Sequence, residues 1–190
     1  MSCDDRLLCI DLQVDPERGL QPDPAAIFGA RALLSMGRRL GWTIAHTRMR
    51  GGKAAPPGFG ETRISGMRPL MSERVFLRSG RSVMESAGLL SLLDEWKDET
   101  VYVAAFDHVT LLSCLLACYD RGPRMVLIEN ALSVSASLAT RTGLESFLKT
   151  AGHLAAGSVT LHSLVSRVER REEPFQPKPA PDSLHLGLAD

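Results

Sequence analysis

The side chains of this 190-residue chain that could do chemistry collect just past short apolar runs. Asp11 and Gln13 follow LLCI (7–10), and Thr47 and Arg48 end and follow WTIAHT (42–47). Arg78 follows VFL (75–77), Asp107 and His108 follow TVYVAAF (100–106), and Glu129 and Asn130 follow RMVLI (124–128). Carboxylates and an imidazole can take up or deliver protons. An arginine stays charged at neutral pH and presents a planar fork suited to carboxylates. The four cysteines, Cys3, Cys9, Cys114 and Cys118, are the conventional nucleophiles. Cys9 lies inside an apolar run and Cys114 and Cys118 inside LLSCLLAC, where core packing is the simpler reading. Cys3 lies in a frayed end. No pair has CxxC spacing, so no zinc knuckle is read, and His46 reads as an ordinary strand residue.

The elements that must position these residues alternate. Apolar runs at 7–10, 42–47, 75–77, 100–106, 124–128 and 159–165 read as strands, and 24–40, 86–96, 109–121 and 137–152 read as helices. The first helix has Pro24 at its start and Gly41 just past its end. Strands that are apolar throughout suit a parallel sheet covered on both faces. The expected fold class is therefore α/β, a three-layer α/β/α sandwich around a mostly parallel, Rossmann-like sheet of about six strands. In open parallel sheets chemistry sits beyond the carboxyl ends of the strands, where the polar residues above fall. Two segments fall outside the alternation. Residues 50–72 hold Gly51, Gly52, Pro56, Pro57, Gly58 and Gly60 and read as a long irregular excursion of lid or binding-loop type. Residues 172–190 carry four prolines and read as an extended or disordered tail beyond a domain spanning 1–171.

Composition narrows the function classes. Lys and Arg number 22 against 22 Asp and Glu, which argues against a broad footprint for nucleic acid or an anionic membrane. Four cysteines in a chain of this length are too few for a disulfide scaffold. The apolar run 109–118 is too short to span a bilayer, and MSCDDRLLCID lacks the features of a signal peptide. A cytoplasmic protein is the expectation. No GxGxxG follows the first strand, so a dinucleotide-binding reading is set aside.

Three segments, in order and at consistent separation, carry a resemblance. They are LLCIDLQVDP (7–16), RSGRSVMESAGL (78–89) and AAFDHVTLLSCLLACYDRGPRMVLIENA (104–131). Together they resemble isochorismatase-like hydrolases, the cysteine-hydrolase superfamily that includes nicotinamidases, over roughly residues 6–165. The resemblance implies a catalytic Asp, Lys and Cys. The thiolate attacks a carbonyl or nitrile carbon, the Asp acts as base, and backbone N–H groups after a cis peptide form an oxyanion hole. Carried onto this chain, the Asp is Asp11, the Lys position holds Arg78 and the Cys position holds Thr110. The cis bond falls at Ala105–Phe106. Gln13, Ala105, Phe106, Asp107 and His108 would line the substrate site. Asp107 could equally serve only as N-cap of the following helix. The metal-binding histidines of nicotinamidases have no counterpart in HTRMRGG (46–52), so neither metal nor cofactor is implied.

Two of the three catalytic side chains are thus changed. An aliphatic hydroxyl is far harder to ionise than a thiol, and the Thr β-methyl fills space that a substrate carbon needs. A slip of one helical turn would put Cys114 at the helix start instead. One branch of the family, the isochorismatases proper, works without Cys: the Asp protonates a vinyl ether and water adds. The leading expectation is accordingly a divergent hydrolase acting on a small, anionic metabolite by an Asp11-based, Cys-independent mechanism. The alternative is a catalytically inactive pseudoenzyme kept as a ligand-binding or assembly subunit, with Asp11 and Arg78 as a structural ion pair. The resemblance also implies a homo-oligomer with a small-molecule ligand.

Overall fold

In the computed structural model the described residues are 5–14, 21–49, 64–80, 82–119, 121–133, 141–154 and 157–170. Six strands form one all-parallel sheet: β1 (Arg6–Ile10), β2 (Thr43–Met49), β3 (Arg74–Arg78), β4 (Thr100–Ala105), β5 (Arg124–Leu132) and β6 (Gly157–Val159). Their order is β3-β2-β1-β4-β5-β6. Among the described residues the helices are α1 (Pro24–Arg39), α2 (Ala87–Glu95), α3 (His108–Tyr119), α4 (Arg141–His153) and α5 (Leu161–Arg170), with a 3-10 turn at Val83–Glu85.

The central strands β1 and β4 form where they do because their side chains are apolar and buried on both faces. Leu8 and Ile10 point into a core shared with Leu89 and Leu92 of α2, Trp96 at its C-cap, Leu111 and Leu115 of α3, and Phe147 of α4. Leu7 and Cys9 point to the other face, into a core with Ala30, Leu33 and Leu34 of α1 and Leu164 of α5. The expected three-layer α/β/α sandwich is the observed one. Local signals start and stop the helices, the Gly41 stop as expected. Asp23 caps α1 by accepting the Ala25 N–H at 2.8 Å, and Gly41, at φ +73°, turns the chain away from its end. Ser86 caps α2 through the Leu89 N–H.

Two boundaries differ from expectation. The last apolar run does not form one strand over 159–165: β6 stops at Val159 and α5 begins at Leu161. Leu161, Leu164, Val165 and Val168 recur at helical spacing on the α1 face of the sheet. The Thr160 hydroxyl accepts the Ser163 N–H at 3.2 Å and starts the helix. β5 also runs four residues past the expected Ile128, because a register shift between Val103 and Ala105 brings Leu132 beside Ala105. The expected tail (172–190) and most of the 50–72 excursion (50–63) lie outside the described residues. No described helix is long and apolar enough to cross a membrane.

Candidate active site

The strand order reverses direction between β1 and β4, and the register of the sheet decides what meets there. Ile10 pairs with Thr47 of β2 and with Ala105 of β4, so Asp11 leaves the sheet between those strands. Its N–H still bonds to the Thr47 carbonyl at 3.2 Å. Asp11 has φ +49°, in the left-handed region, which Asp adopts more readily than most residues. The Gln13 N–H then returns to the Asp11 carbonyl at 2.7 Å, a tight turn that holds the Asp11 carboxyl at the rim.

Arg78 ends the edge strand β3 beside Met49. Its guanidinium reaches back over β2 and ion-pairs with Asp11 Oδ2 through Nη2, while Nη1 donates to the Gly80 carbonyl. Nη2 also donates to Thr110 Oγ1 at 3.2 Å. Thr47 Oγ1 donates to Asp11 Oδ1 at 3.0 Å, and Thr110 Oγ1 donates to Asp107 Oδ2 at 2.9 Å. Asp107 Oδ1 accepts the Val109 N–H at 3.1 Å, the N-cap geometry of α3. Thr47, Asp11, Arg78, Thr110 and Asp107 therefore form one continuous chain of bonds, every member buried. Burial pushes the Asp11 carboxyl above its ordinary range, against the opposing pull of the Arg78 charge and of the bonds from Arg78 and Thr47.

Of the expected site residues, Asp11, Arg78, Thr110 and Asp107 are brought together. Gln13 is fully buried nearby in sequence, and neither its amide N nor its amide O has a hydrogen-bond partner. Ala105 and Phe106 serve the sheet: Phe106 N–H donates to the Ile10 carbonyl at 3.1 Å, and the Ala105 carbonyl accepts from Ser133. The expected cis bond at Ala105–Phe106 is not found, since the described residues contain no cis peptide. His108 opens α3 and lines a groove of about 1180 Å³ along its outer side, whose lining includes none of Asp11, Arg78 and Thr110. Glu129 accepts from Ser158 Oγ and Asn130 from the Leu161 N–H, both away from the cluster.

The cysteines sit where apolar packing puts them. Cys9, Cys114 and Cys118 are buried free thiols. Burial pushes Cys9 up, and a hydrogen bond with Cys118 together with burial raises Cys114, so neither thiol is activated. Cys3 lies outside the described residues. Thr47 was legible as a strand end, but its bond to Asp11 follows only from the parallel register.

Sequence reasoning missed a second buried polar centre. Glu73, just before β3, accepts two bonds from Arg38 of α1 at 2.7 and 2.9 Å and the Leu70 N–H at 2.9 Å, and pairs with His46 Nε2 at 2.8 Å. Arg38 also donates to the Gly66 and Arg68 carbonyls, so this one carboxylate ties residues 66–73 to α1 and β2. Nothing local in the sequence marks it, because its partners lie 27 and 35 residues away. Burial raises the Glu73 carboxyl, but the bonds from His46, Arg38 and the Leu70 amide outweigh it and hold it at about 2. A carboxyl lowered on folding stabilises the fold above its unfolded value of 4.5 and loses that contribution as pH falls toward 2. Asp11 acts in the opposite sense, since a raised carboxyl favours the fold at low pH. Thermal unfolding followed from pH 6 down to about 2 is expected to show a shallower loss of Tm in Glu73→Gln than in the unmodified protein.

No protein-family model matches the sequence, and no curated protein matches it. Solved structures do match. An isochorismatase family protein from Desulfovibrio vulgaris superposes with a TM-score of 0.69 at 18% identity, covering 88% of this chain and 99% of that one. An isochorismatase from Pseudomonas putida gives 0.66 at 21% identity, over 85% and 90% of the two chains. N-carbamoylsarcosine amidase from Thermoplasma acidophilum gives 0.60 at 16% identity, over 83% and 96%. Over 83–88% of this chain the backbone superposes on theirs, and the fold of this protein is that of the isochorismatase-like hydrolases.

Proposed function

We propose that this protein is an isochorismatase-fold subunit whose former reaction centre has become a closed polar core, and that it acts by binding or assembly rather than by hydrolysis. One observation carries the reading: the groups that would do chemistry are bonded to one another. Arg78 is engaged by Asp11, Thr110 and the Gly80 carbonyl. The Thr110 proton is directed at the Asp107 carboxylate. The Asp107 carboxylate also takes the Val109 N–H at the start of α3, a donor of the kind an oxyanion would need. The balanced charge supports a partner other than nucleic acid or membrane, and the free thiols of Cys9, Cys114 and Cys118 support a reducing, cytoplasmic setting. Self-association into a homo-oligomer is part of the proposal.

A second reading, hydrolysis of a small anionic metabolite with Asp11 as the acid, is favoured by one specific feature. The buried Gln13 amide and Arg78 Nε have no hydrogen-bond partner, and such groups are uncommon unless something else satisfies them. With its carboxyl raised by burial, Asp11 could deliver a proton to an enol ether, after which water adds to the cation.

The test is turnover of amides, nitriles and vinyl ethers by the pure protein and by Arg78→Lys/Thr110→Cys. Neither is expected to exceed the uncatalysed rate, because in the double variant Asp107 still occupies the Val109 N–H and its charge opposes a thiolate. General acid catalysis contributes ~10²-fold or more. Turnover of that size by the unmodified protein, abolished in Asp11→Ala, would establish the second reading and overturn the first.

A further inference from the structure

The Glu73 carboxylate is held the way a receptor holds a ligand. The Arg38 guanidinium meets it as a fork, Nε to Oε1 at 2.7 Å and Nη2 to Oε2 at 2.9 Å, and His46 Nε2 meets Oε2 at 2.8 Å. A carboxylate only accepts, so His46 carries a proton on Nε2 and donates it. A planar fork joined by an imidazole N–H is a donor set that recognises a carboxylate or a phosphate. Both donors sit on regular elements. Arg38 lies in the last turn of α1, and His46 lies inside β2 between Cys9 of β1 and Val75 of β3. The group they hold sits instead on the connector into β3, whose residues 66–73 form no helix or strand.

That connector separates two clefts. One, of about 650 Å³, is lined by Arg48, Arg68, Met71 and Val75, and the other, of about 310 Å³, by Arg38, Trp42 and Thr43. Leu70 and Glu73 line both and form the partition. Clefts of this size suit a small molecule. Glu73 is the one acid among the described residues lining either cleft. The partition is anchored by that carboxylate, since Leu70 and Met71 are themselves exposed.

We infer that Glu73 is the built-in occupant of an anion site formed by Arg38 and His46. A small molecule bearing a carboxylate or a phosphate enters from the flanking clefts, replaces the Glu73 carboxylate and releases residues 70–73 from α1 and β2. The exchange is of one oxyanion for another. Arg38 and His46 keep an acceptor and the displaced Glu73 carboxylate passes to water, so no buried charge is left unpaired. A carboxylate on a short tether competes at an effective concentration of about a millimolar, so a bare anion binds weakly and a larger ligand gains from contacts in the clefts. The site shares no residue with the Asp11 cluster, and the inference is independent of whether that cluster is catalytic.

Glu73→Ala empties the site, and the probes are acetate and inorganic phosphate, each compared with chloride at equal ionic strength. An anion at ten times its Kd is expected to raise the Tm of this variant by about 3–5 °C over chloride. Acetate against phosphate shows which oxyanion the site takes. Glu73→Gln, whose amide still fills the space, is expected to gain nothing over chloride, and so is Glu73→Ala/Arg38→Met, which lacks the fork. No gain over chloride in Glu73→Ala, or an equal gain in either control, overturns the receptor. Displacement is read in the unmodified protein by amide hydrogen exchange. The more effective probe at about 100 mM, well above the effective concentration of the tether, is expected to speed exchange over residues 68–73 several-fold relative to chloride and to leave the strands unchanged. Exchange that is unchanged or slowed over 68–73 overturns Glu73 as a displaceable occupant. That measurement needs no variant and decides the inference by itself where Glu73→Ala does not fold.

Discussion

Replacing Arg78 with Met is expected to destabilise the protein by about 3–5 kcal/mol, because it strips the counter-charge from a carboxylate that has no access to water. Asp11 and Arg78 are both fully buried at their side chains. Water cannot replace the guanidinium in Arg78→Met, and the Thr110 hydroxyl and the Gly80 carbonyl lose a donor in the same step. For a domain of this size the change corresponds to a fall in Tm of about 6–20 °C, measurable by calorimetry. The loss should be greatest near neutral pH and shrink as pH falls toward the Asp11 unfolded value of 3.8, since a protonated Asp11 needs no counter-charge. Asp11→Asn should also destabilise, by leaving Arg78 unpaired. The double variant should cost less than the two singles combined, by ~1–3 kcal/mol, as residues in direct contact do. The ion pair of Arg74 with Glu95 provides the contrast. It too is an arginine–carboxylate contact, at 2.6 Å, but both side chains are about half exposed, and Arg74→Met is expected to leave the Tm nearly unchanged. If Arg78→Met proved as mild as Arg74→Met at neutral pH, Asp11 would be neutral in the folded protein, and its role as a structural anion would be lost.

The second large effect lies where α1 crosses the sheet. A Cβ built on Gly29 would stand 1.9 Å from the backbone oxygen of Asn130 and 2.6 Å from its carbonyl carbon. The obstacle is backbone in β5, so no side-chain rotation relieves it, and α1 and β5 must separate. Helix propensity favours Ala over Gly by about 1 kcal/mol, but the lost packing of Ala30, Leu33 and Leu34 on the sheet outweighs it. Gly29→Ala is expected to destabilise by about 3 kcal/mol net, read as a lower urea midpoint. Gly152, in the last turn of α4, has nothing within 4 Å of its built Cβ, and Gly152→Ala is expected to raise stability by up to about 1 kcal/mol. The same substitution thus changes sign with what faces it. Separation of α1 from β5 would also disturb α5, whose Leu161 N–H is accepted by the Asn130 side chain at 2.9 Å.

The fold was largely legible before any coordinates because its signals are local or nearly so. After their first residues β1 and β4 are short apolar runs, the composition that a strand covered on both faces has. The caps of α1 and α2 rest on Asp23 and Ser86 acting on amides two or three residues away. α5 was misread for a related reason. Over 159–165 the β-branched and apolar residues satisfy both periods, and the period resolves only when Val168 is counted with Leu161, Leu164 and Val165. A window that stops at Val165 cannot separate strand from helix.

The amino-acid sequence by itself determined the parallel α/β alternation and the rim of polar residues at the strand ends. Tertiary structure alone decided what those residues are bonded to. Thr47 becomes a partner of Asp11 only because the register sets it beside Ile10. Arg78 becomes an internal counter-ion only because its side chain folds back over β2 and meets no water there. Asp107 accepts from Thr110 as well as from the Val109 N–H, and Glu73 gathers Arg38 and His46 from two other elements. The difference is physical. Periodicity and capping are interactions between neighbours along the chain, whereas the protonation and reactivity of a buried group depend on donors, charges and solvent brought to it from tens of residues away.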